Sequence, residues 1–213
     1  MDGLLLDTEA LAKVSWQQAA ADCGFELDDP LFVRLIGRTR RDSNEILAAA
    51  IGAGYDACAF RERCRARWHE LIAVRGIPLK PGVHEVLDHV EAAGIRTVVA
   101  TSTGRASAER ALEIAGVRAR LPWIVTGDEV ENGKPAPDIF LRAATLVEVE
   151  PAACLVLEDS VYGIIAAHAA GAIPVMVPDL VPPTPEVERL AWRIVGSLFE
   201  VPPLIDEVRS GRR

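Results

Sequence analysis

The feature that most constrains this chain is a change of rhythm at Pro81-Gly82. Beyond it, helix-like apolar patterns alternate with short apolar runs. Val83, Val86, Leu87 and Val90 share one helical face, and Gly94 ends that helix. Ile95-Arg96-Thr97-Val98-Val99-Ala100 then reads as a buried strand. A helix over about residues 107–115, a short strand at 123–125 and a helix over 137–147 follow. After them come the strand Cys154-Leu155-Val156-Leu157, a helix over 161–170 closed by Gly171, and a strand over 173–177. Helices alternating with short apolar strands predict an α/β fold built on a doubly wound parallel sheet.

Before Pro81 the chain reads as helices only. Leu11 and Val14 share a face of the first, and Asp28-Asp29-Pro30 supplies the cap and first turn of a second. Ile46, Leu47, Ala50 and Ile51 stripe a third, closed by Gly52 and Gly54. Cys64, Trp68, Leu71 and Ile72 mark a fourth, ending at Gly76. This stretch is expected to be an all-helical cap inserted into the sheet domain. The division is residues 1–10 with 80–213 for the α/β core, and 11–79 for the cap. Trp16 and Trp68 are expected to pack within the helices.

Half of the 213 residues are hydrophobic, enough for a real core, and the formal net charge of −8 disfavours a nucleic-acid partner. The four cysteines, Cys23, Cys58, Cys64 and Cys154, lack a Cys-x-x-Cys pair, so a zinc site is not expected; buried thiols and a cytoplasmic setting are. The most apolar stretch, residues 164–177, is interrupted by His168, Gly171 and Pro174, which argues against a membrane span.

In open α/β sheets, ligands bind outside the carboxyl ends of the strands. There the sequence places Thr101-Ser102, Glu158-Asp159, the loop Asn132-Gly133-Lys134-Pro135 and, at its start, Asp2-Gly3. Singly, each has a plainer reading: a solvated turn, a loop lysine, a helix cap. Together, hydroxyls, a lysine and three carboxylates on one edge suit a hard cation and a phosphate.

Asp2-Gly3-Leu4-Leu5-Leu6-Asp7-Thr8-Glu9, then Thr101, then Gly133-Lys134-Pro135-x-Pro137-Asp138-x-Phe140, then Glu158-Asp159-Ser160-x-x-Gly163-x-x-Ala166-Ala167 resembles the haloacid dehalogenase superfamily. More narrowly it is similar to the helical-cap subfamily of β-phosphoglucomutase and sugar-phosphate phosphatases. The resemblance implies that Asp2 is general acid and base, with its backbone carbonyl on Mg²⁺. It implies that Thr101 holds a phosphoryl oxygen, with Gly3 and Ser102 as substrate-binding neighbours. Lys134 would neutralise the nucleophile and the phosphoryl group, and Asp159, with Glu158, would bind Mg²⁺. In the cap, residues 37–43 resemble a substrate-reading loop in which Arg40 grips a distal phosphate; a solvated helix start capped by Asp42 reads equally well.

The activity implied is Mg²⁺-dependent hydrolysis of small phosphorylated metabolites, sugar or nucleoside phosphates. A mutase is the runner-up, disfavoured because Ala12 stands where the mutase has a histidine. A non-catalytic phosphate- or Mg²⁺-binding relative is the reading from another class. The family's nucleophile is an aspartate two residues before the one matching Asp2, a position just ahead of Met1. The apolar strand that leads into it would also precede Met1. Burying about five such residues contributes on the order of 10 kcal/mol, so a longer natural chain is expected, and one without them is expected to be inactive or unstable.

Overall fold

The computed structural model describes residues 1–36 and 40–211. It contains two compact units: Met1–Asp7 with Pro78–Arg213, and Thr8–Ile77.

The second unit is helical: α1 (Thr8–Asp22), α2 (Asp29–Leu35), α3 (Arg40–Ile51) and α4 (Ala57–Arg75). Local chemistry sets the helix ends. Asp28 Oδ1 accepts the Leu31 N–H at 2.8 Å, and Asp56 Oδ1 accepts those of Cys58 and Ala59 at 2.8 and 3.1 Å. Gly76 stops α4 at φ 68°, a conformation that costs a residue with a Cβ. The apolar faces close over Ala19, Ala20, Leu27, Phe32, Leu35, Leu47 and Phe60. Trp16 stands edge-on to Phe32 and Phe60, centroids 5.9 and 6.2 Å away, so it packs as expected; Trp68 is half-buried.

The first unit alternates helix and strand: α5 (Val83–Ala92), β1 (Val98–Thr101), α6 (Arg105–Ile114), β2 (Trp123–Thr126), α7 (Asp138–Leu146), β3 (Leu155–Glu158), α8 (Val161–Ala169) and β4 (Ile173–Met176). Then follow α9 (Pro185–Leu190), β5 (Arg193–Ile194) and α10 (Val201–Arg209), in a stretch where the sequence pattern gave no clear element. All pairings of these strands are parallel. β1 runs beside β2 with Thr101 opposite Thr126, and β3 beside β4 with Glu158 opposite Met176; β5 adds to β4. The chain is therefore an α/β protein with an inserted helical unit.

Two strand expectations are corrected. The first strand begins at Val98, not Ile95, because the Ile95 N–H is still bonded to Val90 O at 2.8 Å in the end of α5. The strands are also less buried than a central parallel strand should be. Val98, Ala100, Leu155, Val156 and Leu157 are only half-buried. Among the described residues β1 pairs only with β2, and β3 only with β4 on its one occupied side, so each has an open edge. One apolar layer still joins the two strand groups. Ile139, Phe140 and Ala143 of α7 cluster with Ala166, Ala167 and Ala170, and Val98, Ala100, Val125 and Val156 pack on them.

The two chain crossings beside the helical unit are tied together. The Asp7 N–H bonds to Pro78 O at 2.8 Å, Leu6 bridges Leu79 antiparallel, and the Lys80 N–H bonds to Leu5 O at 2.9 Å. Fully buried Leu6 seals this stem. No helix among the described residues is long and apolar enough to cross a membrane. All four thiols are free, but they are not buried as expected: Cys58 is exposed and the others intermediate. Cys58 lies in the first turn of α4, two residues after the cap Asp56. Burial, with Cys23 nearby, pushes the Cys64 thiol up to about 12.

Phe60 joins three aromatic contacts in the helical unit and is 5% exposed. Phe60→Ala is expected to cost about 3–5 kcal/mol, read as a lower urea midpoint; a loss under about 1 kcal/mol would mean that this cluster is not the unit's core.

Candidate active site

The site grows from a reversal at the start of the chain. The Gly3 N–H bonds to Leu6 O at 3.0 Å, while the Leu5 and Leu6 N–H groups bond to Met1 O at 2.9 and 3.1 Å. Gly3 sits at φ 71°, and a Cβ there would collide with Asp159 Oδ2 and lie 3.3 Å from Asp179 Oδ2. Glycine is thus required twice at this position, by backbone and by neighbours.

This turn touches the carboxyl ends of both strand groups. On the β1 side, Thr103 Oγ1 donates to Asp2 Oδ2 at 2.9 Å, and the Thr103 N–H bonds to Thr101 Oγ1 at 3.2 Å. Thr101 itself is buried, whereas Ser102 beside it is exposed. On the β3 side, Asp159 lies against the backbone of Gly3.

Lys134 spans the two strand groups. Its Nζ pairs with Glu158 Oε1 at the end of β3, approaches Ala100 O in β1 at 3.5 Å, and rests 5.0 Å from the Phe140 ring centroid. The Lys134–Pro135 peptide is cis. Asn132 steadies this loop by donating to Asp138 Oδ1 through its backbone at 3.2 Å and its side chain at 3.0 Å. Glu158 is fully engaged: Oε2 accepts from Ser160 Oγ at 2.9 Å, and the side chain fills the space where a Cβ at Gly163 would stand.

Asp159 has a different environment. Burial first, and then the neighbouring Glu158 charge, push its carboxyl up to about 6, against the pull of the Met1 amino group and Lys134. Beyond it, Lys80 Nζ donates to Asp179 Oδ1 at 2.7 Å and lies 3.9 Å from Asp7 Oδ1. Asp2, Gly3, Thr101, Lys134, Glu158 and Asp159 thus gather at one end of the strands. The Arg40 side chain, and Gly37 to Thr39 of the expected substrate-reading loop, lie outside the described residues.

The haloacid dehalogenase-like hydrolase profile matches residues 1–177. The chain belongs to the haloacid dehalogenase-like hydrolases. It is 32% identical over 171 residues to a phosphorylated carbohydrates phosphatase of Thermotoga maritima, covering 80% of this chain and 79% of that one. It is 28% identical over 204 residues to the bifunctional riboflavin kinase/FMN phosphatase of Arabidopsis thaliana, covering 94% of this chain but 52% of that larger protein. Its fold superposes with a TM-score of 0.84 on a putative β-phosphoglucomutase from Thermotoga maritima, at 29% identity, covering 98% of this chain and 96% of that one. 

In this hydrolase the donor set fits a hard divalent cation. Glu158 ends β3 and Asp159 follows it, raised by burial and carboxylate repulsion, and Asp179 Oδ2 is buried with no hydrogen-bond partner among the described residues. Among the described residues no three His, Cys, Asp or Glu side chains form a ready-made metal cluster. Sequence reasoning missed Thr103, Lys80 and Asp179. Thr103 was within reach, two residues past a strand-end hydroxyl; Lys80 and Asp179 meet only through the fold.

The Asp159 shift has a definite sign. Its folded pKa of about 6 lies above the unfolded value, so its contribution to stability is present below about pH 4 and lost as pH rises through 6. Without added metal, Asp159→Asn is expected to unfold at higher denaturant than the parent at pH 8 and at the same denaturant at pH 4. Equal midpoints at both pH values would contradict the assigned environment.

Proposed function

We propose that this hydrolase is a Mg²⁺-dependent phosphatase of small phosphorylated metabolites, sugar or nucleoside phosphates, working in the cytoplasm. The nucleophile is an aspartate immediately preceding Met1, and the intermediate is its aspartyl phosphate. What carries the reading is the meeting of Asp2 and Asp159 at the Gly3 turn, with Lys134 on Glu158 and Ala100 at the same strand ends, where ligands of α/β sheets bind. Among the described residues β1 pairs only with β2 and β3 only with β4, which leaves each an edge for a strand leading into such a nucleophile.

In this reading the aspartate oxygen attacks phosphorus and the leaving alkoxide takes a proton from Asp2. Asp2 then removes a proton from water, whose oxygen attacks the aspartyl phosphate and releases inorganic phosphate. Thr103 holds the Asp2 carboxyl in place for both transfers. Thr101 donates its hydroxyl to a phosphoryl oxygen, with Gly3 and Ser102 beside it. Lys134, a compact charge already set between the strand groups, offsets the negative charge of nucleophile and phosphoryl group. Asp159, with Glu158 and the Asp2 backbone carbonyl, would hold Mg²⁺, which supplies charge neutralisation and a template for the phosphate. Arg40 would meet a distal phosphate.

Ala12 in α1 favours hydrolysis over mutase chemistry, since the mutase has a histidine at that position. The phosphatase from Thermotoga maritima acts, by its name, on phosphorylated carbohydrates, the same substrate class. The chain extended upstream to include the aspartate is expected to release phosphate from p-nitrophenyl phosphate only with Mg²⁺. Asp2→Asn should lower that rate by about 10²–10⁴-fold. An extended chain with no Mg²⁺-dependent release from this ester or a panel of sugar phosphates would leave the non-catalytic binder as the better reading.

A further inference from the structure

Asp179 follows β4 by three residues and belongs to none of the motifs that define the site. Its side chain is nine-tenths buried, with 10% relative exposure. Lys80 Nζ binds Oδ1 at 2.7 Å, but Oδ2 is the buried side-chain oxygen left without a hydrogen-bond partner among the described residues. Leaving such an atom unpaired costs about 1–3 kcal/mol, more when it is charged, so it calls for a partner beyond those that the described residues provide.

The direction of Oδ2 indicates that partner. It faces the Gly3 turn, 3.3 Å from where a Cβ would stand, and Asp159 Oδ2 crowds the same point. Two carboxylate oxygens from different loops therefore converge on one glycine, and neither accepts a hydrogen bond there from a side chain named above. Lys80 fixes only the far oxygen. Carboxylates so placed repel one another unless a cation or its water stands between them.

Resting on the Mg²⁺ reading of the site, we propose that Asp179 is a further acid of that site: Oδ2 accepts a hydrogen bond from a water of the divalent cation that Asp159 holds, while Lys80 orients the carboxylate. A cation that keeps several waters needs such outer acceptors to fix its orientation. Asp179 is thus a positioning residue, acting through the cation's water and not on the phosphoryl group.

The test reads cation binding directly, with Mn²⁺ as the hard-cation probe and the free-ion electron paramagnetic resonance signal as readout. Asp179→Asn is expected to weaken Mn²⁺ binding at least tenfold. Because that change also removes a charge, the decisive variant is Lys80→Met with Asp179→Asn, which leaves the net charge unaltered and removes a buried pair as a unit. It too should bind at least tenfold more weakly, with its far-ultraviolet circular dichroism unchanged. Binding within twofold of the parent in the double variant overturns this inference alone. A parent that takes up no Mn²⁺ at millimolar ion overturns the cation reading and this inference together.

Discussion

The charge of Lys134 is the contact on which the rest of the site depends. Its Nζ meets Glu158 at the end of β3 and approaches the Ala100 carbonyl in β1, so one ammonium spans two strand groups that share no ladder hydrogen bond. Both partners are nearly buried, at 11% and 5% side-chain exposure. Removing either one would strand the other's charge in a poorly solvated place, which is much costlier than losing an exposed ion pair. The direct ion pair of Lys134 is with Glu158, and Asp159 feels Lys134 only at longer range. Lys134 thereby pairs with one of two adjacent carboxylates, while burial and the charge of that neighbour push the other, Asp159, up to about 6.

Around that contact the chain uses small residues to bring polar groups close. Gly163 makes room for Glu158, and Gly3 for Asp159. Helix α8 starts at the same place, since Ser160 Oγ accepts the Gly163 N–H at 3.0 Å while donating to Glu158. A helix cap and a site carboxylate are thus held by one hydroxyl, and a change at Ser160 would disturb both.

Most of the architecture was legible because its signals are local. Gly76, Gly94 and Gly171 end helices where the pattern placed them, and Asp28 caps α2. The last elements were not legible: β5 is two exposed residues, and α9 begins in a Pro-rich run that reads as loop. Nor could periodicity show that Leu155 to Leu157 would be only half-buried, because burial depends on which strands lie alongside. In the site, the motif residues were visible as strand-end polar groups. Lys80 and Asp179 were not, since they stand 99 positions apart and acquire meaning only when the fold pairs them.

The stem at Leu6–Asp7 and Pro78–Lys80 has a consequence for how such a protein can vary. Its hydrogen bonds lie wholly within the α/β unit, so that unit closes the gap in its own backbone without help from the intervening helices. Loop closure depends only weakly on the length of what is inserted. The junction therefore behaves as a socket: it accepts helical modules of other sizes while the α/β unit keeps its own backbone closed.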